Sequence, residues 1–235
     1  MLQRFKFSCL LWAGLCLPLA STARAGSLDL SSQYGWSFEW DSAPGSASAG
    51  LGLILETSGD GVIGLKKVAP FYLPPDSDGN FLGINILIRQ TSAKALDYPT
   101  IQIVADIIAN NTGTAFGAFK FDIVGGFTNA GGSPKFNTSS LNFKTTPFDD
   151  KTLLADDTTL YASGGLLASG QTLFGGQDGS SLSINASPSA SNLPLQLFIL
   201  EEQAMIPLPA SVTLALFGVS TLGAMSSFRR LLRRI

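Results

Sequence analysis

The chain of 235 residues contains no histidine and two cysteines, and both cysteines, Cys9 and Cys16, lie ahead of Gly26. Without imidazole, serine triads and Cys–His nucleophile pairs are excluded. Zinc sites, which draw mainly on His and Cys, are close to excluded as well. Charge is also scarce, at 14% of residues, and unevenly spread. All 17 acidic residues fall between Asp29 and Glu202. That interval holds eight basic residues: Lys66, Lys67, Arg89, Lys94, Lys120, Lys135, Lys144 and Lys151. Eight positives against 17 negatives leave it a formal charge of −9, hidden within the whole-chain value of −2. So acidic a stretch repels nucleic acid and anionic lipid, which removes nucleic acid as a partner.

The first residues read as an export signal. Arg4 and Lys6 form a positive start, and Phe7 to Leu19 is an apolar run shorter than the roughly 20 residues a helix needs to span a bilayer. Ala23 and Ala25 flank Arg24 as small residues at the −3 and −1 positions, so cleavage is expected before Gly26. Leu15 precedes Cys16 where a lipid-attachment site needs a small side chain. Removal of residues 1–25 takes both cysteines away. An exported fold would ordinarily be free to use disulfides. This one has to stand on its core, which roughly 180 residues can supply.

Residues 26–205 read as one acidic β domain. Tyr34, Trp36, Phe38 and Trp40 alternate with Gly35, Ser37 and Glu39 and so share one face of a strand. Phe81 to Ile88, Ile101 to Val104, Phe116 to Val124 and Leu193 to Leu200 continue the pattern less strictly. Turn clusters separate them at Ser58–Gly61, Pro74–Asn80, Asn110–Gly113, Asn129–Gly132 and Gly175–Gly179. The expected fold is all-β, a single antiparallel, jelly-roll-like β-sandwich. One short helix is expected near Asp150 to Ala155. No repeat of fixed period and no long linker divides the domain.

The chain closes on "IPLPASVTLALFGVSTLGAMSSFRRLLRRI". Ala210 to Phe228 carries no charged residue and is long enough to cross a membrane core of about 30 Å as a transmembrane helix. Arg229, Arg230, Arg233 and Arg234 follow and orient the span with the domain outside and the tail inside. Pro207 and Pro209 keep the preceding segment extended and open to a processing enzyme. Ile206-Pro207-Leu208-Pro209-Ala210, the apolar span and the arginine cluster together resemble the PEP-CTERM class of sorting signals, most closely its VPLPA variant. Ile206 stands for Val, and Leu208 for the Glu of the best-known form. The resemblance covers residues 206–235. It implies a Gram-negative exported protein that rests transiently in the inner membrane with its domain in the periplasm. An exosortase, a membrane transpeptidase-like enzyme, would then process it for the cell surface or extracellular matrix. It further implies an association with extracellular polysaccharide and biofilm. An ordinary single-pass membrane anchor is the alternative. "ANNTGTAFGAFKFDIVGG", from Ala109, is similar to a strand–turn–strand found in exported domains of this kind.

Within the domain, chemistry has few candidates. Asp149-Asp150 and Asp156-Asp157 are paired acids of the sort glycosidases use. Sequence neighbours on a strand point to opposite faces, however, so each pair reads better as loop charge. Asp76, Asp78 and Asn80 place oxygens at alternate positions, as a Ca2+ loop begins. Gly79 comes too early, though, and Leu87 stands where the bidentate Glu would be. Trp36 and Trp40 would stack on sugar rings if exposed, and would be core if inward. The polar Ser37, Glu39 and Asp41 on the other face favour the inward reading. Asn110 and Asn137 match Asn-x-Ser/Thr, a pattern common by chance. Two functions therefore stand side by side: a non-catalytic surface or matrix protein, and a carbohydrate-binding or carbohydrate-cleaving module exported by the same route.

Overall fold

The computed structural model describes residues 25–125, 133–190 and 195–206. Outside them lie Ala23, the turn expected at Asn129–Gly132, Pro207 to Ala210, the expected apolar span and Arg229, Arg230, Arg233 and Arg234. No helix among the described residues is long and apolar enough to cross a membrane.

Among the described residues, regular structure is mostly β-strand with almost no helix. In order the chain forms β1 (Ala25–Leu30), one helical turn (Ser31–Tyr34), β2 (Trp36–Asp41), β3 (Gly52–Gly59), β4 (Val62–Phe71), β5 (Ile84–Gln90) and β6 (Thr100–Asn110). It continues with β7 (Ala118–Val124), β8 (Lys135–Phe136), β9 (Thr145–Thr146), β10 (Asp150–Leu153), β11 (Thr159–Ser163), β12 (Thr172–Gly175), β13 (Leu182–Asn185) and β14 (Leu195–Met205). These make a sandwich-like pair of sheets. The first runs β1-β2-β5-β14-β7-β11-β10, and the second runs β3-β4-β6-β12-β9, with β13 joining β6 to β8.

The first sheet is antiparallel throughout. The second is mixed, because β4 and β6 run parallel over their whole length. That corrects the expectation of a wholly antiparallel, jelly-roll-like sandwich. Its cause is the path of the chain: β5, between β4 and β6 in sequence, pairs in the opposite sheet. The chain therefore returns to β4 from the same end at which β4 began.

Local chemistry accounts for the joints. β3 and β4 are joined by Asp60-Gly61, both with positive φ (49° and 79°), the type I′ geometry that Asp-Gly favours. Tyr34 is not part of the aromatic strand. It ends the helical turn, whose closing residue Gly35 has φ 78°, and its ring meets Tyr98 edge-on at 4.9 Å. The helix expected near Asp150 to Ala155 is instead β10, hydrogen-bonded along β11. Its alternating exposed and half-buried residues gain a ladder partner there that a lone helical turn would lack.

Between the sheets lies an apolar interior. Phe71, Phe81, Phe116, Phe119 and Phe148 form a chain of edge-to-face rings with centroids 4.8 to 5.9 Å apart. Such contacts add to the area buried from water. One irregularity interrupts the β4–β6 ladder: Leu65 pairs with Ile103, but Lys66 pairs with Ala105, so Val104 is an extra residue. Before it Ile101 and Ile103 point inward; after it Asp106, Ile108 and Asn110 do. A β-bulge reverses the alternation of a strand in this way.

Candidate functional site

Three charged side chains sit inside this apolar layer. Lys67 of β4 follows Ile63 and Leu65 and precedes Ala69 and Phe71 on the inward face. Glu202 of β14 stands in the inward row of Phe198, Leu200 and Ala204. Asp106 is brought inward by the bulge at Val104. Lys67 and Asp106 are register partners on adjacent parallel strands, and Glu202 reaches them from the facing sheet. Their residue exposures are 2%, 0% and 2%.

The ammonium nitrogen of Lys67 lies 3.0 Å from Asp106 Oδ1 and contacts Glu202 Oε2. Beyond Lys67, none of the four carboxylate oxygens has a hydrogen-bond partner among the described residues. Among the described residues, no hydroxyl, amide or backbone N–H shares their charge. Around them stand the Phe143 ring, which together with the Asp106 Cβ would be met by a Cβ at Gly175, and Phe121 and Ile84, the ladder partners of Glu202. Burial in such surroundings pushes the Lys67 pKa below the ordinary lysine value, against the pull of Asp106. The same burial raises the Asp106 pKa, against the pull of Lys67. Desolvation thus favours a neutral amine beside a neutral carboxylic acid. One amine facing two carboxyl groups in a water-poor interior is a setting for proton exchange and acyl chemistry.

The residues singled out from sequence lie elsewhere. Trp36 is fully buried and donates its indole N–H to the Tyr98 carbonyl at 3.1 Å. Trp40 is buried beneath Gly26, where an added Cβ would fall 2.2 Å from its Nε1. The aromatic row lies inward, so Trp36 and Trp40 offer no stacking face to a sugar. Gly26 is the second residue of β1, and Ala25 the first.

Asp76 Oδ1 accepts hydrogen bonds from the N–H groups of Asp78 (2.9 Å) and Asn80 (2.8 Å). The Asp76–Asn80 segment is thereby held as a turn closed on its own backbone. Among the described residues no three of His, Cys, Asp or Glu converge to hold a metal. That turn does touch the start of the tail: Asn80 bridges to Met205, and Ile206 lies against Gly79.

Of the paired acids, Asp150 opens strand β10, while Asp156 and Asp157 serve the loop that follows it. Asp156 Oδ1 accepts the Thr158 N–H at 3.1 Å, and Asp157 pairs with Lys135 at 3.6 Å. Asn110 is buried, with its amide spent on Thr114 and Leu167 carbonyls at 2.8 and 3.0 Å. Asn137 bonds Ser183 Oγ at 2.9 Å.

Sequence reasoning passed over Lys67, Asp106 and Glu202. A signal for two of them was present, since Lys67 and Glu202 fall in phase with the apolar positions of their strands. Asp106 falls out of phase with Ile101 and Ile103, and only the bulge corrects it. Compared with protein-family models, curated proteins and solved structures, the chain matches none.

Proposed function

We propose that this chain is a non-catalytic exported surface or matrix protein, a β-sandwich domain delivered through a PEP-CTERM-like tail. An exosortase-type enzyme processes it, and it works alongside extracellular polysaccharide. The observation that carries the reading is the order within residues 206–235: Pro207-Leu208-Pro209, then an apolar stretch without charge, then Arg229, Arg230, Arg233 and Arg234. The arginines hold the tail on the inner side of a membrane and the domain on the outer side. The position of Ile206 supports it too. It is exposed and follows directly on the last strand, β14, which ends at Met205. A cut at the Pro-Leu-Pro segment would therefore leave the ladders of β14 with β5 and β7 intact.

The test is the C-terminal peptide of the protein recovered from outside its host cell. Ending near residues 206–210 is the expected result. A full-length chain that keeps Arg233 and Arg234 and remains in the membrane would make it a plain single-pass anchor. Replacing the four arginines by alanine should reduce processing and leave the folded domain unchanged by circular dichroism.

A further inference from the structure

We propose that Lys67 and Asp106 join covalently, forming an amide between Lys67 Nζ and Asp106 Cγ, with Glu202 as the proton carrier of the reaction. The inference is independent of how the tail is processed. It rests first on geometry: the two side chains face inward from paired positions of adjacent strands, with the amine in contact with the carboxyl group. Holding reactants so is worth an effective concentration of about 10⁵ to 10⁸ M in well-oriented intramolecular reactions.

It rests second on surroundings. Beyond the Lys67 ammonium, no described residue donates to the carboxylate oxygens, so one cation faces two carboxylates and the ionised trio is poorly compensated. Moving one proton from the ammonium to Asp106 gives a neutral nucleophile and a neutral acid without taking a proton from solvent. Burial drives both groups in that direction.

The atoms balance as follows. The Lys67 amine attacks Asp106 Cγ and forms the Nζ–Cγ bond. Glu202, in contact with Nζ, takes one proton from the nitrogen. It returns that proton to a hydroxyl on Cγ as the Cγ–O bond breaks, and one water leaves. Glu202 ends as it began and accepts the N–H of the new amide. Nothing is oxidised or reduced. The product replaces two buried ionisable groups by one neutral amide, which removes the cost of holding them in an apolar interior. The water-poor site also opposes hydrolysis back to the free groups. A domain with neither cysteine nor disulfide would so acquire a permanent tie across the parallel pair β4–β6.

The test is mass spectrometry of the full chain, produced folded and then denatured. The expected result is a mass lower than that of the sequence by one water, and a protease digest containing a branched peptide joining Lys67 to Asp106. Asp106→Asn should reach the same product with loss of ammonia in place of water. Glu202→Gln, nearly isosteric, should leave most chains uncrosslinked at times when the natural chain is complete, and Lys67→Met should leave all of them so. Folded natural protein at full sequence mass would overturn the proposal. So would a branch that joins Lys67 to Glu202, or a water lost at any other residue. Because the natural chain alone decides the matter, failure of a variant to fold does not protect the idea.

Discussion

Gly176 has φ 83°, and a Cβ placed there would fall 2.0 Å from the Val104 carbonyl oxygen. Only glycine fits both constraints, and the atom it would strike belongs to the bulge that turns Asp106 inward. Gly176→Ala should destabilise by about 1–3 kcal/mol from backbone strain, plus whatever shift of Val104 relieves the collision. Chemical denaturation measures it. Phe116 is fully buried and meets three other rings. Phe116→Ala should cost about 3–5 kcal/mol, the range for losing a large aromatic from a packed core. Lys120 behaves differently, since its hydrogen bond to Asp122 (2.6 Å) raises its pKa above the ordinary 10.5. A raised folded value means that the stabilisation is complete below 10.5 and lost as pH climbs through the folded value. Melting temperature followed above that pH should fall more steeply for the natural chain than for Lys120→Met, and equal slopes would refute the coupling.

At the scale of elements, the segment between β6 and β7 shows how one polar side chain can shape a connection. The two strands belong to opposite sheets, so the chain must cross the edge of the sandwich within a few residues. Asn110 organises the crossing. It donates to two carbonyls and accepts from Thr112 N–H (3.2 Å) and Thr112 Oγ1 (2.9 Å). Asn110→Ala leaves the Thr112 N–H without its acceptor and takes one of two donors from each of the Leu167 and Thr114 carbonyls, which keep Phe116 N–H and Thr112 Oγ1. A loss of about 1–3 kcal/mol in all is expected, read by denaturant midpoint. Asn110→Asp should be as damaging, because a carboxylate cannot donate to those carbonyls. The turns at Asp60-Gly61 and Asn110–Gly113 were legible in the sequence, because their residues carry their own conformational preference. The strand at Asp150–Leu153 was not. Nothing in four mostly polar residues distinguishes a strand from a helical turn until β11 supplies a partner.

At the scale of the molecule, the described residues of the two sheets share one continuous core. Unfolding should therefore be a single transition. Trp36 and Trp40 report on the first sheet, while far-ultraviolet circular dichroism reports on both. The two signals should change together with denaturant, and a fluorescence midpoint displaced from the dichroism midpoint would show that the sheets melt separately.

The sequence by itself determined the all-β character, the inward phase of the row from Trp36 to Trp40, the two glycine-bearing turns named above and the order of the tail segments. Each of these is a local property, set by the two-residue pleat, by φ preference or by a run of apolar residues. Tertiary structure alone decided that β4 and β6 are parallel, that Val104 bulges, and that Lys67, Asp106 and Glu202 meet. Those depend on which distant strands lie side by side. Side-chain phase can show that a charge is headed for the core, but not what waits for it there.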